Sequence, residues 1–168
     1  MNLSNPVTDA EGSVHVVLHN NKAGTAGLWT LSNGQWSVRN LTADALGHST
    51  GRIHPQSSLS IDASGVLHAV LMVEPTDHCV WGPAGTTVAW VRIDGDNVNG
   101  QMLCDRDPES AQWLPALEHP CVDGLDHIPA LLYTRGQNAG GFGDNQNELK
   151  TKVYLVTEGV SNPDGAGK

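Results

Sequence analysis

The sequence predicts an all-β protein, and three observations support that fold class. Short apolar runs recur along the 168 residues, and no segment keeps a helical apolar period over the length of a helix. Glycine is frequent, with 19 residues, as expected for many short strands joined by turns. The turn motif D-x-x-G-x-x-H occurs twice, each time at the entry to an apolar strand.

The two copies of this motif define a repeat. The first copy runs from Asp9 to His15, and the second runs from Asp62 to His68, 53 residues further on. A repeat of about 40 to 50 residues that carries several strands is typical of a β-propeller blade. Because propellers close with about four to eight blades, residues 1–157 are expected to form about three four-stranded blades of a larger, roughly seven-bladed propeller.

The first repeat unit, residues 5–45, is expected to contain three clear strands. Asn33-Gly34 is a strong signal for a two-residue hairpin between the second strand and the third. The predicted strands are residues 14–19, 27–32 and 35–40.

The second unit, residues 52–104, repeats this order of strands and turns. Its second strand is an almost continuous apolar run, VLHAVLMV, which suits a sheet covered on both faces. The predicted strands are residues 57–62, 66–73, 86–94 and 97–104.

The third unit, residues 111–157, lacks a clean copy of the motif. Residues 136–148 are rich in Gly and Asn and are expected to form a loop, and residues 158–168 are expected to be a disordered tail. The predicted strands are residues 113–119, 126–135 and 149–157.

The repeated motif is best interpreted as a structural turn. Its Asp can accept hydrogen bonds from main-chain N–H groups two residues on, and its Gly supplies the positive φ that such a turn requires. His15 and His68 would then satisfy polar groups between blades, with a functional role for His68 as the less favoured alternative. The motif resembles the Asp-box of sialidase-type propellers, S-x-D-x-G-x-x-W, with one more residue in the turn and His in place of Trp.

These turns, together with the segments RIHPQSSLSIDASGVLHAVL and PALLYTRG, carry a family resemblance. The chain resembles the BNR-repeat family over most of residues 5–157. That family contains propeller ulvan lyases and related polysaccharide lyases. The resemblance implies a secreted or periplasmic lyase that acts on an anionic, uronate-containing polysaccharide by β-elimination.

Four residues are candidates for that chemistry. Elimination beside a carboxylate needs a cation that neutralises the carboxylate, a role that suits the forked guanidinium of Arg52 or Arg135. It also needs groups that move protons, and His54 and Tyr133 are assigned this role. All four lie near predicted strand ends, where propeller clefts bind ligands. The structural alternatives are a solvated Arg52, a His54 that only begins a strand and a Tyr133 that belongs to the core.

Cysteine and histidine residues form a candidate metal site. Zinc prefers thiolate and imidazole ligands, and three Cys with one His complete a tetrahedral structural site. Propeller ulvan lyases are similar in holding a structural zinc on Cys and His. The alternatives are buried free thiols, or one disulfide and a spare cysteine in a secreted parent protein. The predicted ligands are Cys79, Cys104, Cys121 and His119, with His78 as the alternative to His119.

Composition argues against two classes of partner. The net charge of −9, with only nine Lys and Arg and no cluster of them, argues against nucleic acid, and it is a mild argument against an anionic glycan. No apolar stretch is long enough to span a membrane. The first residues carry no signal-peptide pattern. The alternative function is a non-catalytic glycan- or protein-binding module that closes its ring by self-association or with a missing remainder of the propeller.

Overall fold

The computed structural model describes residues 2–46, 51–75, 84–120, 125–136 and 151–157. Most of the described residues lie in strands. One π-helical turn, Thr42–Leu46, precedes the second sheet, and no helix among the described residues is long and apolar enough to cross a membrane. The strands are β1 (Asn2–Leu3), β2 (Val7–Thr8), β3 (Val14–Asn20), β4 (Thr25–Ser32), β5 (Gln35–Asn40), β6 (Arg52–Ile61), β7 (Leu67–Glu74), β8 (Thr87–Asp94), β9 (Asn97–Met102), β10 (Ala111–Leu117), β11 (Leu131–Gly136) and β12 (Thr151–Val156).

The strands form three antiparallel sheets that follow one another along the chain. Sheet 1 has the order β1-β3-β4-β5, and β2 also pairs with β3. Sheet 2 has the order β6-β7-β8-β9, and sheet 3 has the order β10-β11-β12. Over the described residues these sheets are not closed into a ring. The structure therefore confirms the all-β prediction with antiparallel sheets, and the complete propeller stays a prediction.

The predicted hairpin at Asn33-Gly34 is confirmed. Ser32 pairs with Gln35 across β4 and β5, and the two residues between them have φ values of 51° and 76°. A positive φ at both central residues is the requirement of the type I′ turn, whose twist matches that of the flanking strands.

The hydrophobic core lies in two layers, one on each side of sheet 2. Val17 and Leu28 of sheet 1 share a buried cluster with Leu71 of sheet 2, and Val70 of sheet 2 shares another with Leu131 of sheet 3. Val70 and Leu71 are neighbours on β7, so alternate side chains of this strand serve the two layers. All eight residues of β7 are buried, as the continuous apolar run predicts.

Some strand boundaries differ from the predicted ones. β6 begins at Arg52 rather than at residue 57, with a register shift between His54 and Ser57. β11 begins at Leu131 rather than at residue 126, which is consistent with Pro129, since proline has no N–H to donate to a strand ladder. β1 and β2 are two residues each, too short to leave a periodic signal in the sequence.

The sheets have a common orientation, which defines two ends of the molecule. At the upper end β3, β7 and β11 end and β6 and β10 begin. There the N–H of Ile53 donates to the carbonyl oxygen of Gly24 (2.8 Å), which joins sheet 1 to sheet 2. The lower end carries the two repeated turns. There the N–H of Ala63 donates to the carbonyl oxygen of Leu125 (2.6 Å), which joins sheet 2 to the segment before β11.

Candidate functional site

The repeated turns at the lower end bind their own polar groups. Asp9 Oδ1 accepts the N–H of Ser13 (2.7 Å), and Asp9 Oδ2 lies 2.9 Å from Nε2 of His15. In the second copy Asp62 Oδ1 accepts the N–H of Val66 (3.1 Å), and Oδ2 lies 3.0 Å from Nε2 of His68. The prediction that Asp accepts main-chain N–H groups in this turn is confirmed.

The electrostatics of both turns favour charged carboxylates. Burial raises the pKa of Asp9, but hydrogen bonds from His15 and from the Ser13 N–H outweigh burial, so its pKa lies below the usual value. The same balance lowers the pKa of Asp62, where burial opposes hydrogen bonds from Ser64, His68 and main-chain N–H groups. These carboxylates and their histidines are mutually satisfied, which supports a structural role for the motif.

The third unit holds a related pair in place of the motif. Glu118, just after β10, accepts the N–H of Ala130 (3.1 Å), and its Oε2 lies 3.0 Å from Nε2 of His127. This pair is far more exposed than the first two, with relative side-chain exposures of 38% for Glu118 and 47% for His127. A carboxylate that holds a main-chain N–H and an imidazole thus occurs in all three units, although D-x-x-G-x-x-H occurs in two.

A second group of polar side chains lies at the upper end, where β6 begins and β7 ends. Arg52 and Glu74 are cross-strand partners in this region, and His54 follows on β6. Nε2 of His54 lies 3.8 Å from Oε1 of Glu74, and both side chains are largely buried. At that distance the two groups do not form a hydrogen bond. We call Arg52, His54 and Glu74 the upper-end cluster.

The imidazole of His54 is uncharged at neutral pH. Burial lowers the pKa of His54 from 6.5 to about 4, and the positive charge of Arg52 adds to this effect. His19, at the end of β3, lies near His54 and is itself 1% exposed. Its Nε2 lies 2.8 Å from the hydroxyl oxygen of Ser57. Burial, followed by the neighbouring His54, also lowers the pKa of His19 to about 4.

Main-chain contacts hold the upper-end cluster in place. The guanidinium of Arg52 donates to the carbonyl oxygen of Asn21, in the turn between β3 and β4. Arg106 donates to the carbonyl oxygens of Gly85 (2.8 Å) and Glu74 (3.4 Å), and burial lowers the pKa of its guanidinium. Gly51 has a φ of 100°, and a Cβ at this position would overlap with the carbonyl oxygen of Glu74.

The other two predicted catalytic residues lie on β11, in sheet 3. Tyr133 is 1% exposed, in the layer between sheets 2 and 3. Its ring stacks on Tyr154 at 5.3 Å, and its hydroxyl lies 4.0 Å from the sulfur of Cys104. Burial, followed by the neighbouring Cys104, raises the pKa of Tyr133. Arg135 lies at the upper end of β11, with a guanidinium nitrogen 3.5 Å from a carboxylate oxygen of Asp107.

The predicted metal ligands are only partly described. Cys79, Cys121 and the alternative ligand His78 lie outside the described residues. Cys104 is buried at the upper end near β8, whereas His119 follows the lower end of β10 and lies 3.5 Å from an amide nitrogen of Asn5.

Within the described part of the chain, no group of three or more His, Cys, Asp or Glu is arranged to hold a metal. The structural zinc stays a prediction that depends on the undescribed cysteines.

Sequence reasoning missed His19 and Glu74. A signal for His19 was present, because the 53-residue repeat matches it to the apolar Met72 of the second unit. A histidine where the other repeat has an apolar residue indicates a local polar partner, here Ser57. Glu74 ends the apolar run of β7, where a charged residue is ordinarily taken as the solvated end of a strand. Glu74 is only 1% exposed, and no signal in the neighbouring sequence predicts this burial.

Taken together, the upper-end cluster offers an uncharged imidazole and a guanidinium at the start of β6 and a buried carboxylate at the end of β7. Such a set can move protons and bind an anion. No protein-family model matches the chain, and no curated protein sequence matches it significantly.

Proposed function

We propose that the chain is part of a carbohydrate-active β-propeller of the BNR-repeat type, a polysaccharide lyase that cleaves a uronate-containing glycan by β-elimination. The observation that supports this most is the position of His54, whose pKa of about 4 leaves its imidazole uncharged at neutral pH, at the start of β6 beside Arg52. An uncharged imidazole can accept a proton, and a guanidinium can hold the carboxylate that makes the neighbouring proton acidic.

In the proposed reaction the substrate carboxylate binds to Arg52. His54 takes the proton from the carbon beside that carboxylate, and the electron pair of the broken C–H bond forms a C=C double bond. The glycosidic C–O bond breaks, and its electrons remain on the leaving oxygen. The imidazolium of His54 then returns the proton to that oxygen. Glu74, 3.8 Å from Nε2 of His54, stabilises the imidazolium between the two transfers.

The other two predicted residues have different roles in this proposal. The burial and raised pKa of Tyr133 favour His54 as the group that carries the proton in both directions. Tyr133 then remains a second candidate for protonating the leaving oxygen. Arg135 lies at the same end of the sheets and is partly exposed, so it is proposed to bind the carboxylate of a neighbouring sugar.

Incubation with uronate-containing polysaccharides tests the reaction directly, because elimination creates an unsaturated product that absorbs ultraviolet light. His54→Ala is expected to lower the rate of product formation by about 100-fold or more, the usual contribution of an acid–base group. His127→Gln, at the lower end, is the matched control and is expected to keep the parent rate. Tyr133→Phe separates the two proton donors, since only a catalytic Tyr133 would require its hydroxyl. A His54→Ala variant as active as the parent would contradict the proposal.

A second candidate is a non-catalytic glycan- or protein-binding module that completes its ring by self-association. The observation that favours it is the use of cations inside the fold: Arg52 donates to Asn21, Arg106 donates to main-chain carbonyls and Arg135 pairs with Asp107. With a net charge of −9, few cations are left for an anionic polymer. Glycan binding in calorimetry without any unsaturated product would favour this candidate over the lyase.

A further inference from the structure

The outward face of sheet 1 is apolar, and within the described part of the chain no other sheet packs over it. Cross-strand pairing places six side chains on it in two rows, Val14, Leu31 and Trp36 in one and Val16, Trp29 and Val38 in the other. The face carries exposed large apolar groups, with Trp36 at 55% and Val38 at 61%. Contiguous exposed apolar surface of this kind marks an interaction site in soluble proteins.

The repeat identifies what this face is built to contact. A shift of 53 residues matches Val14 to Leu67 and Val16 to Ala69 on β7. In sheet 2 these residues are buried in the layer against sheet 1. The outward face of sheet 1 is therefore the equivalent of the face with which sheet 2 covers the preceding sheet.

Sheet 3 is the last of the three sheets, and its face on the side away from sheet 2 is also apolar. Leu131 and Tyr133 of β11 point into the layer against sheet 2. The alternate positions form the opposite face, where Leu132 pairs with Leu155. Leu132, Val153 and Leu155 are exposed at 46%, 71% and 61%. This is the face that would be covered by a following sheet.

We propose that a second copy of the chain supplies both missing neighbours: sheet 3 of each copy packs against the outward face of sheet 1 of the other. The contact continues the packing already present between sheets 1 and 2 and between sheets 2 and 3, with matching residues at the equivalent positions. Two copies of three sheets would give a ring of six, within the range of closed propellers. Two heterologous contacts related by a half-turn close the ring.

This inference deepens the second candidate function, on whose self-association it rests, and it is independent of the lyase proposal because it concerns the outer sheet faces and not the upper-end cluster. Its test is the mass in solution, measured by sedimentation equilibrium across the micromolar range. The expected result is twice the chain mass of 17.8 kDa. A single-chain mass at every concentration would overturn the proposal, whatever the result of the lyase assay.

Two adjacent residues of β5 give a matched pair of variants. Val38→Glu puts a charge on the outward face of sheet 1, and it is expected to weaken dimer formation by on the order of 100-fold. Ser37→Glu puts the same charge on the neighbouring exposed residue, which points to the other side of the sheet. This control is expected to remain dimeric. Equal dissociation constants for the two variants would overturn the proposal.

Mixing variants identifies which faces meet. Val153→Lys, on sheet 3, is expected to weaken the dimer as Val38→Glu does. A mixture of the two variants is expected to restore a dimer containing one chain of each kind, because one interface is then unaltered and the other joins Glu to Lys. The restored dimer also shows that both variants are folded. If Val153→Lys leaves the dimer intact, or if the mixture remains monomeric, sheet 3 does not contact sheet 1 and the proposal is overturned.

Discussion

The indole N–H of Trp90 lies 3.3 Å from Nδ1 of His68 and donates a hydrogen bond to it. An indole nitrogen can only donate, so Nδ1 must be the acceptor and the ring proton must be on Nε2. Nε2–H then donates to Asp62 Oδ2 at 3.0 Å. The indole of Trp90 on β8 and the carboxylate of Asp62 in the repeated motif therefore fix the tautomer of the buried His68 together.

We expect this tautomer to be visible by NMR. In a long-range ¹H–¹⁵N spectrum of the histidine rings, His68 should show the pattern of an Nε2–H imidazole. Trp90→Phe removes the donor, leaves Nδ1 unsatisfied and should lower the free energy of unfolding by about 1 kcal/mol or more. A proton on Nδ1 of His68 in the parent protein would contradict the assignment.

Removing the carboxylate of Asp62 should be strongly destabilising. Asp62→Ala leaves the buried N–H of Val66 and the buried ring of His68 without their acceptor, and it removes the exposed hydrogen bond from Ser64. We expect the free energy of unfolding in urea to fall by about 3 kcal/mol, since each buried donor left unpaired costs roughly 1 to 3 kcal/mol.

The control for that measurement is Asp96→Ala. Asp96 forms an exposed ion pair with Arg39 (3.1 Å), and such pairs contribute at most about 1 kcal/mol. If the free energy of unfolding falls equally in both variants, the Asp62 carboxylate does not stabilise the turn as described.

Stability should fall with pH in a window set by His19 and His54. Their pKa values in the folded protein, about 4, lie below the ordinary 6.5. Between these pH values the unfolded chain binds more protons than the folded one, so the free energy of unfolding falls as pH drops from 6.5 to about 4. Solvent access to His54 reduces the effect, and we expect a loss on the order of 2 to 4 kcal/mol.

Two variants test whether the loss of stability between pH 6.5 and 4 comes from His54 and not from the exposed His127. His54→Gln should flatten the profile between pH 6.5 and 4 in urea titrations. His127 has the opposite sign, because its hydrogen bonds to Asp126 and Glu118 raise its pKa. The stabilisation from His127 is present at pH below 6.5 and is lost as pH rises through the pKa of the folded protein. His127→Gln should therefore leave unchanged the fall in the free energy of unfolding between pH 6.5 and 4. Below pH 4 the lowered pKa values of Asp9 and Asp62 produce a further loss. A flat parent profile from pH 7 to 4 would refute the assignment.

Substitutions at Gly51 and Gly12 test the close approach between Gly51 and the carbonyl oxygen of Glu74. Both have a positive φ, 100° and 82°. Gly12→Ala meets no atom within 4 Å and should cost only the conformational penalty, about 1 kcal/mol. Gly51→Ala adds an overlap with the Glu74 carbonyl, and we expect a loss of about 3 kcal/mol or more in thermal unfolding. Equal losses would mean that the close approach at Gly51 relaxes without cost.

Local sequence signals predicted the parts of the fold that depend on local chemistry. Asn33-Gly34 marks its hairpin because few residues adopt positive φ, and the run in β7 marks a strand buried on both faces. The bonds of Asp9 and Asp62 follow from turn chemistry within six residues of the chain. The upper-end cluster was predicted only in part, since it joins β6 and β7. Arg52 and His54 were found by their place before a strand, whereas the burial of Glu74 depends on packing between distant segments.

Because β7 is buried along its whole length, we expect the sheets to open to solvent in a fixed order. β7 is bonded to β6 on one side and to β8 on the other, and a sheet lies over each of its faces. Separation of sheet 1 or sheet 3 alone exposes one apolar layer but breaks none of the ladders that hold β7. Amide hydrogens of β7 therefore exchange with solvent only when sheet 2 itself comes apart, and those of β5 and β12, at the sheet edges, exchange long before.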